Sequence, residues 1–282
     1  MKLVRFGPAG NERPGVLLDN NHILDARGMA FDIDDFNGHF FAKQGLQRLQ
    51  ALLKESGRKT IPAEGVRLGP PVARPGKIVC LGKNYADHAA EFDAQLPDSP
   101  ILFSKAVTAI VGPSDPIILP PGATDVDTEV ELAVVIGRNA KNVSEKDAMS
   151  HVAGFTILND VTDRKAQRDG KQWFRGKGCD TFCPLGPYLV TLDETGDPHA
   201  LRLLSKIRGQ ILQNASASQM IFKIPYLISF ISATITLEAG DIIATGTPGG
   251  IGSARKPPVL LQRGDEVEVS IDRLGTQRNP VA

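Results

Sequence analysis

The chain is short of cysteine, of net charge and of long apolar runs, and each shortage removes a class of protein. Its 3 cysteines, Cys80, Cys179 and Cys183, are odd in number and lack Cys-x-x-Cys spacing, so they build neither a disulfide framework nor a thiolate zinc site. A free cysteine of this kind more often serves as a small buried hydrophobe than as a nucleophile. Lys+Arg and Asp+Glu both total 32, for a formal net charge of +0. With no basic run either, no nucleic-acid or anionic-membrane partner is expected. The longest apolar stretches, residues 132–136 and 221–235, are too short or too interrupted for a transmembrane helix. The opening Met1–Pro8 lacks the apolar core of a secretory signal. A reduced, cytoplasmic setting is the expectation.

An alternating strand–helix rhythm is missing too, which argues against a doubly wound sheet or a TIM barrel. What is present is many short strands with tight turns, as in a β-rich α+β fold. Short strands are predicted at Leu3–Phe6, Gly15–Leu18 and Ile23–Asp25, and a helix over Lys43–Lys54 whose Leu46, Leu49 and Leu53 share a face. Pro70, Pro71 and Pro75 then mark a boundary. Beyond it, strands are predicted at Ile78–Leu81, Leu102–Ser104, Ile117–Leu119, Glu129–Ile136, Gly154–Leu158, Asp241–Thr245 and Glu266–Ile271. Helices are predicted over Glu145–Met149, with Ser144 as N-cap, and from Pro225 onward, carrying Leu227, Ile228 and Ile231.

Three acidic residues carry the chemistry. Glu129 and Glu131 are two apart in a strand and point to the same face, while Asp160 closes the apolar run Phe155–Leu158 at a strand end. Converging carboxylates without His or Cys form a hard, all-oxygen site suited to Mg²⁺, Mn²⁺ or Ca²⁺. His88 and Glu91 would share a helical face, as a proton-handling pair or as a chance surface pair. If a helix begins at Asp160, Arg164 and Gln167 fall on its side and set a guanidinium and an amide near the metal. Lys177 sits between glycines among aromatics, where an ammonium could neutralise an enolate or stay in solvent. The loop Ala244–Gly252 lacks the Gly-Lys-Ser/Thr ending of a phosphate-binding loop. It would either grip a small carboxylate through its NH groups and Thr247, or simply turn the chain.

Taken in order, six segments resemble the fumarylacetoacetate hydrolase family. They are Asn84–Glu91, Asp127–Glu131 with its apolar tail, Asn159–Gln167, Gly176–Phe182, Met220–Phe222 and the residues around 240–248. The likeness runs from about Lys77 to Leu274. It implies a mixed β-sandwich roll over residues 73–282 behind a small N-terminal α/β module over residues 1–72, a homodimer, and Mg²⁺ or Mn²⁺ as cofactor. By motif, it implies Glu129, Glu131 and Asp160 as metal ligands, and His88 and Glu91 as a water-activating pair on a mobile lid. Lys177 joins them as a catalytic cation, with Arg164, Gln167 and Thr247 around the 2-oxo-carboxylate end of a substrate.

The activity so implied is hydrolysis of the C3–C4 bond of a 2,4-diketo acid to pyruvate and a carboxylic acid. Oxaloacetate decarboxylation, isomerisation of 2-hydroxyhepta-2,4-diene-1,7-dioate and ureidoglycolate lysis are the alternatives on the same site. The opening Met1–Gly7 and the run Arg67–Ile78 look like the branch containing 2,4-diketo-3-deoxy-L-rhamnonate hydrolase. Lys83, where the family usually has Leu or Arg, and Ile207–Gln210 depart from the pattern.

Overall fold

The chain enters a strand at its second residue, with the adjacent Leu3 and Val4 both fully buried. The computed structural model describes residues 1–91 and 96–282. Lys2–Phe6 (β1), Arg13–Leu17 (β2), His22–Asp25 (β3) and Thr60–Pro62 (β4) are successive antiparallel neighbours. The helix Gly45–Leu52 (α1) buries Leu49 and Leu52, with Leu46 and Leu53 half-buried beside them. Then follow Ile78–Gly82 (β5), the helical turn Ala86–Ala90 (α2), Ile101–Lys105 (β6) and Val130–Ile136 (β7). Glu145–Ala148 (α3) is capped as expected, the Ser144 side chain accepting from Asp147 N. Val152–Asn159 (β8) returns beside β7.

Arg164–Asp169 (α4) and Phe174–Lys177 (α5) precede a nine-residue strand, Cys183–Thr191 (β9). A hairpin of Arg202–Ile207 (β10) and Gln210–Ser216 (β11) leads to the helix Ile224–Thr234 (α6), with Pro225 in its first turn. Ile242–Ala244 (β12), Glu266–Ile271 (β13) and Gly275–Pro280 (β14) complete the chain.

A large sheet of 12 strands has the ten-strand path β4-β3-β2-β1-β9-β8-β7-β12-β5-β6, with the two-residue strands Leu68–Gly69 and Ile110–Val111 pairing off it with β1 and β9. Its neighbours along this path are antiparallel except β12 and β5, which are parallel. Since β1 pairs with β9, strands from either side of residue 72 share one sheet. A second sheet of 4 strands runs β11-β10-β13-β14. The fold is therefore α+β and strand-rich, built on a large mixed sheet.

β7 lies inside the large sheet and is buried on both faces. Val130, Leu132, Val134 and Ile136 join one apolar cluster with Leu203, Val267 and Val269 of the second sheet and Leu227 and Ile231 of α6. Ala133 and Val135, on the other face, join Leu3, Phe36, Phe40 and Leu49. Glu129 and Glu131 precede them on that second face, so their carboxylates enter an interior and not a wet sheet edge.

Two expectations about elements change. Residues Ile117–Leu119 form no strand, only an isolated bridge from Ile117 to Val281. The strands β4, β9, β10, β11 and β14 lie outside those expected from the sequence. In β9 the prolines Pro184 and Pro187 read as loop signals, yet neighbours on both sides hold the segment extended.

Candidate active site

Strand register brings the three carboxylates together. Val130 stands opposite Asn159, which carries Glu129 opposite Asp160, and Asp160 N donates to Glu129 O at 2.9 Å. Residues opposed in an antiparallel pair share a face, so Asp160 joins Glu129 and Glu131 there. One ligand oxygen from each lies within 4.8 Å of the others, and all three residues are buried.

Ionised groups so deep in protein need partners. Lys177 Nζ donates to Glu129 Oε2 at 2.8 Å and to Asp160 Oδ2 at 2.6 Å. Arg164 Nη2 reaches Glu129 Oε1 at 2.5 Å and Asp127 Oδ2 at 3.0 Å. Lys105, at the end of β6, gives Nζ to Asp160 Oδ1 at 2.6 Å and to Val161 O at 3.1 Å. Glu131 makes no ion pair among the described residues and takes one hydrogen bond, from Gly246 N at 2.8 Å.

The titration behaviour follows from these partners. Burial works against the Glu129 charge, but Lys177 and Arg164 hold its carboxyl below the usual range. Burial, reinforced by the Asp160 and Glu129 carboxylates, pushes the Glu131 carboxyl well above it. Burial opposes the Lys177 charge as well, yet Asp160 and Glu129 keep its ammonium above the ordinary lysine value.

The helix expected at Asp160 begins later. Thr162 and Asp163 are extended, and the Asp163 side chain caps α4 by accepting from Ala166 N at 3.0 Å. Arg164 and Gln167 share a face of α4, Arg164 Nη1 donating to Gln167 Oε1 at 3.3 Å, while Asp160 arrives from β8. Lys177 is not a solvent-exposed loop residue: it ends α5 and is 2% exposed. The preceding Gly176 explains its placement, since a Cβ there would stand 2.6 Å from Asp163 O and 2.7 Å from Gln167 N. Only glycine lets α5 lie this close to α4.

His88 and Glu91 do meet, with Nδ1 and Oε2 3.0 Å apart. A carboxylate only accepts, so Nδ1 is the donor, which leaves Nε2 as the lone-pair nitrogen of the neutral ring. Glu91 Oε1 accepts from Gly250 N at 2.5 Å, tying the pair to the glycine-rich loop. Asn84 anchors the start of this segment: Nδ2 donates to Thr245 O at 2.8 Å and Oδ1 accepts from Phe222 N at 2.8 Å.

The loop of residues 244–252 does grip carboxylates, but they are the protein's own. Gly246 N holds Glu131, Gly250 N holds Glu91, and Gly252 N and Ser253 N hold Asp127 at 3.0 and 2.9 Å. The Thr247 hydroxyl donates to Val130 O at 2.9 Å and accepts from Gln213 Nε2 at 2.6 Å.

A cavity of ≈ 340 Å³ opens over this arrangement, lined by His88, Glu129, Glu131, Arg164, Gln167, Lys177 and Thr247. Leu81, Phe103 and Trp173 form its apolar wall. Phe103 and Trp173 meet edge to face with centroids 5.1 Å apart, and Lys177 Nζ lies 5.1 Å from the Phe103 ring centroid.

Lys105 and Asp127 escaped the sequence reading. Asp127 carried a signal, because Asp127, Glu129 and Glu131 alternate along one stretch. Lys105 carried little, as a charged residue closing an apolar run reads as the end of a strand.

The family model "Fumarylacetoacetate (FAA) hydrolase C-terminal" matches residues 77–282. The chain is 49% identical over 245 residues to "Oxaloacetate tautomerase FAHD2A, mitochondrial" of Bos taurus, covering 86% of this chain and 78% of the relative. Among solved structures, the fumarylacetoacetate hydrolase EaFAH of psychrophilic Exiguobacterium antarcticum superposes with a TM-score of 0.84 at 36% identity, over 100% of this chain and 99% of that one. The 2-hydroxyhepta-2,4-diene-1,7-dioate isomerase of Mycobacterium marinum does so with a TM-score of 0.79 at 36% identity, over 100% and 98%.

Proposed function

The chain belongs to the fumarylacetoacetate hydrolase family, and from that premise we propose that it interconverts the enol and keto forms of a small, oxaloacetate-like 2-oxo acid, using a divalent metal. The observation that carries the reading is a cavity lined by His88, Lys177, Glu129 and Glu131, with Glu91 paired to His88 and Asp160 completing the cluster of three carboxylates. The 49% identity to a relative named as an oxaloacetate tautomerase supports it.

The residues fit a hard cation. Glu129, Glu131 and Asp160 offer only oxygen, and Glu131 is a buried carboxylate without an ion-pair partner among the described residues. When bound there, Mg²⁺ or Mn²⁺ would polarise the 2-oxo group and offset the charge that gathers on its oxygen. Lys177 adds an ammonium beside the same oxygen. Arg164, stiffened by Asp127 and Glu129, and Gln167 orient the 2-oxo-carboxylate end, with Thr247 beside them. His88 takes the C3 proton of the keto form at Nε2 and gives a proton back from Nε2 to the 2-oxygen, which completes the enol and leaves the ring as it began; the reverse path returns the keto acid. Glu91 fixes the tautomer that this transfer needs.

Hydrolysis of a 2,4-diketo acid, 2,4-diketo-3-deoxy-L-rhamnonate among the candidates, is the second reading. It is favoured by the 36% identity to a fumarylacetoacetate hydrolase. His88 would then take its proton from a water that attacks C4. Oxaloacetate decarboxylation and dienedioate isomerisation draw on the same residues without that water. The homodimer stands as part of the proposal. A reducing, cytoplasmic setting, supported by the free thiols Cys80, Cys179 and Cys183, is proposed too, although the bovine relative carries a mitochondrial label.

Product analysis separates the readings. The protein supplied with Mg²⁺ or Mn²⁺ is given enol-oxaloacetate, followed by loss of enol absorbance and by CO₂ release, and acylpyruvates, followed by pyruvate release. Enol loss should outpace both other reactions. Pyruvate release from acylpyruvates without enol interconversion would move the assignment to hydrolysis.

A further inference from the structure

Most cations in the cavity wall are already committed. Arg164 holds Asp127 and Glu129, Lys177 holds Glu129 and Asp160, and Arg168 is mostly exposed and paired with Asp125 at 2.7 Å. Lys83 differs. It lines the cavity and is half-buried, and its ammonium makes no hydrogen bond or ion pair with any other described residue.

Its backbone has φ 54, in the left-handed region that side-chain-bearing residues rarely adopt. Of the non-glycine residues with positive φ among the described residues, Lys83 is the one that lines this cavity. Strain held at a ligand site is typical of residues kept for aim rather than for stability. The position is also firmly built: β5 ends at Gly82, and Asn84 is pinned to Thr245 and Phe222 immediately after Lys83.

We propose that Lys83 is a specificity-determining residue that pairs with a second, distal carboxylate, so that the site selects 2-oxo dicarboxylic acids over monocarboxylic acids of equal length. This rests on the reading of the cavity as a 2-oxo acid site. A monocarboxylic acid spends its one charge at the 2-oxo end. The second carboxylate of a diacid would otherwise be desolvated against Leu81, Phe103 and Trp173 without a counter-charge. A charge-assisted pair there is worth roughly 10- to 100-fold in affinity.

Calorimetric binding of malate and of 2-hydroxybutyrate tests this in the metal-supplied protein. Both have four carbons and a 2-hydroxyl, neither undergoes keto–enol exchange, and they differ by one carboxylate in place of a methyl. The intact protein should bind malate about 10- to 100-fold more tightly. Lys83→Met should lose most of that preference, Lys83→Arg should keep it, and Lys83→Glu should reverse it. Lys83→Gly, which relaxes the positive φ, guards against a folding defect and should also lose the preference. Equal binding of the two acids by the intact protein would overturn the proposal, as would a malate preference that survives in Lys83→Met and Lys83→Gly. Because no turnover is needed, a Lys83-dependent preference in a protein without tautomerase activity would refute the reaction and leave this inference standing.

Discussion

At Asp160 a single carboxylate is held by two lysines. Lys177 belongs to the cavity, whereas Lys105 lies wholly beneath it, its side chain 0% exposed. Lys105 thus reads as a fixed counter-charge that holds Asp160 Oδ1 in place. Lys105→Met keeps the volume but strands that oxygen in the interior. Removing one partner of a buried pair typically costs about 3–5 kcal/mol, and urea unfolding with chelator present should show a loss of that order. A loss below about 1 kcal/mol would mean that Asp160 finds other support. The main acidic residues were legible because a strand's two-residue period and a strand's end are features of sequence. Lys105 was not, since its partner lies 55 residues away and no spacing rule links them.

Among the elements, the loop of residues 244–252 supports the most. Its Gly246 has φ 93, a Cβ there would stand 2.8 Å from Asn84 Cβ, and its N–H is the hydrogen-bond donor to Glu131. Gly246→Ala therefore strains the backbone and pushes Asn84, the anchor of the His88 segment. A cost of roughly 1–3 kcal/mol should appear as a lowered Tm in a thermal melt, accompanied by weaker Mg²⁺ binding. An unchanged Tm would show that Asn84 yields freely. The sequence left this loop open between a carboxylate grip and a plain turn, because composition does not reveal that its N–H groups face Glu131, Glu91 and Asp127. The β10–β11 hairpin was missed for a related reason. Its turn, Arg208-Gly209, has φ 51 and 75, the pattern of a two-residue primed turn, but arginine gives none of the Asn-Gly signal. The helix at Pro225 was plain, since Ile224, Leu227, Ile228 and Ile231 repeat at helical spacing and all are buried.

For the molecule as a whole, β7 is where the architecture and the chemistry meet. Its even-numbered side chains close the core against the second sheet, and its odd-numbered face carries the acidic cluster toward the cavity. The sheet continues through β9 into β1–β4, so the strands that bear the site are stiffened from both sides. In the proposed reaction that rigidity matters, because proton transfer would depend on placing His88 against a substrate carbon within a few tenths of an ångström. His88 is proposed to move the proton at a site organised by a divalent ion that it does not itself bind. The most direct test is the rate of enol-to-keto conversion of oxaloacetate by His88→Gln at saturating Mg²⁺, relative to the unaltered protein. A fall of roughly 10²- to 10⁴-fold, with Mg²⁺ affinity held within a few-fold, is the predicted result. Undiminished conversion in His88→Gln would contradict the account.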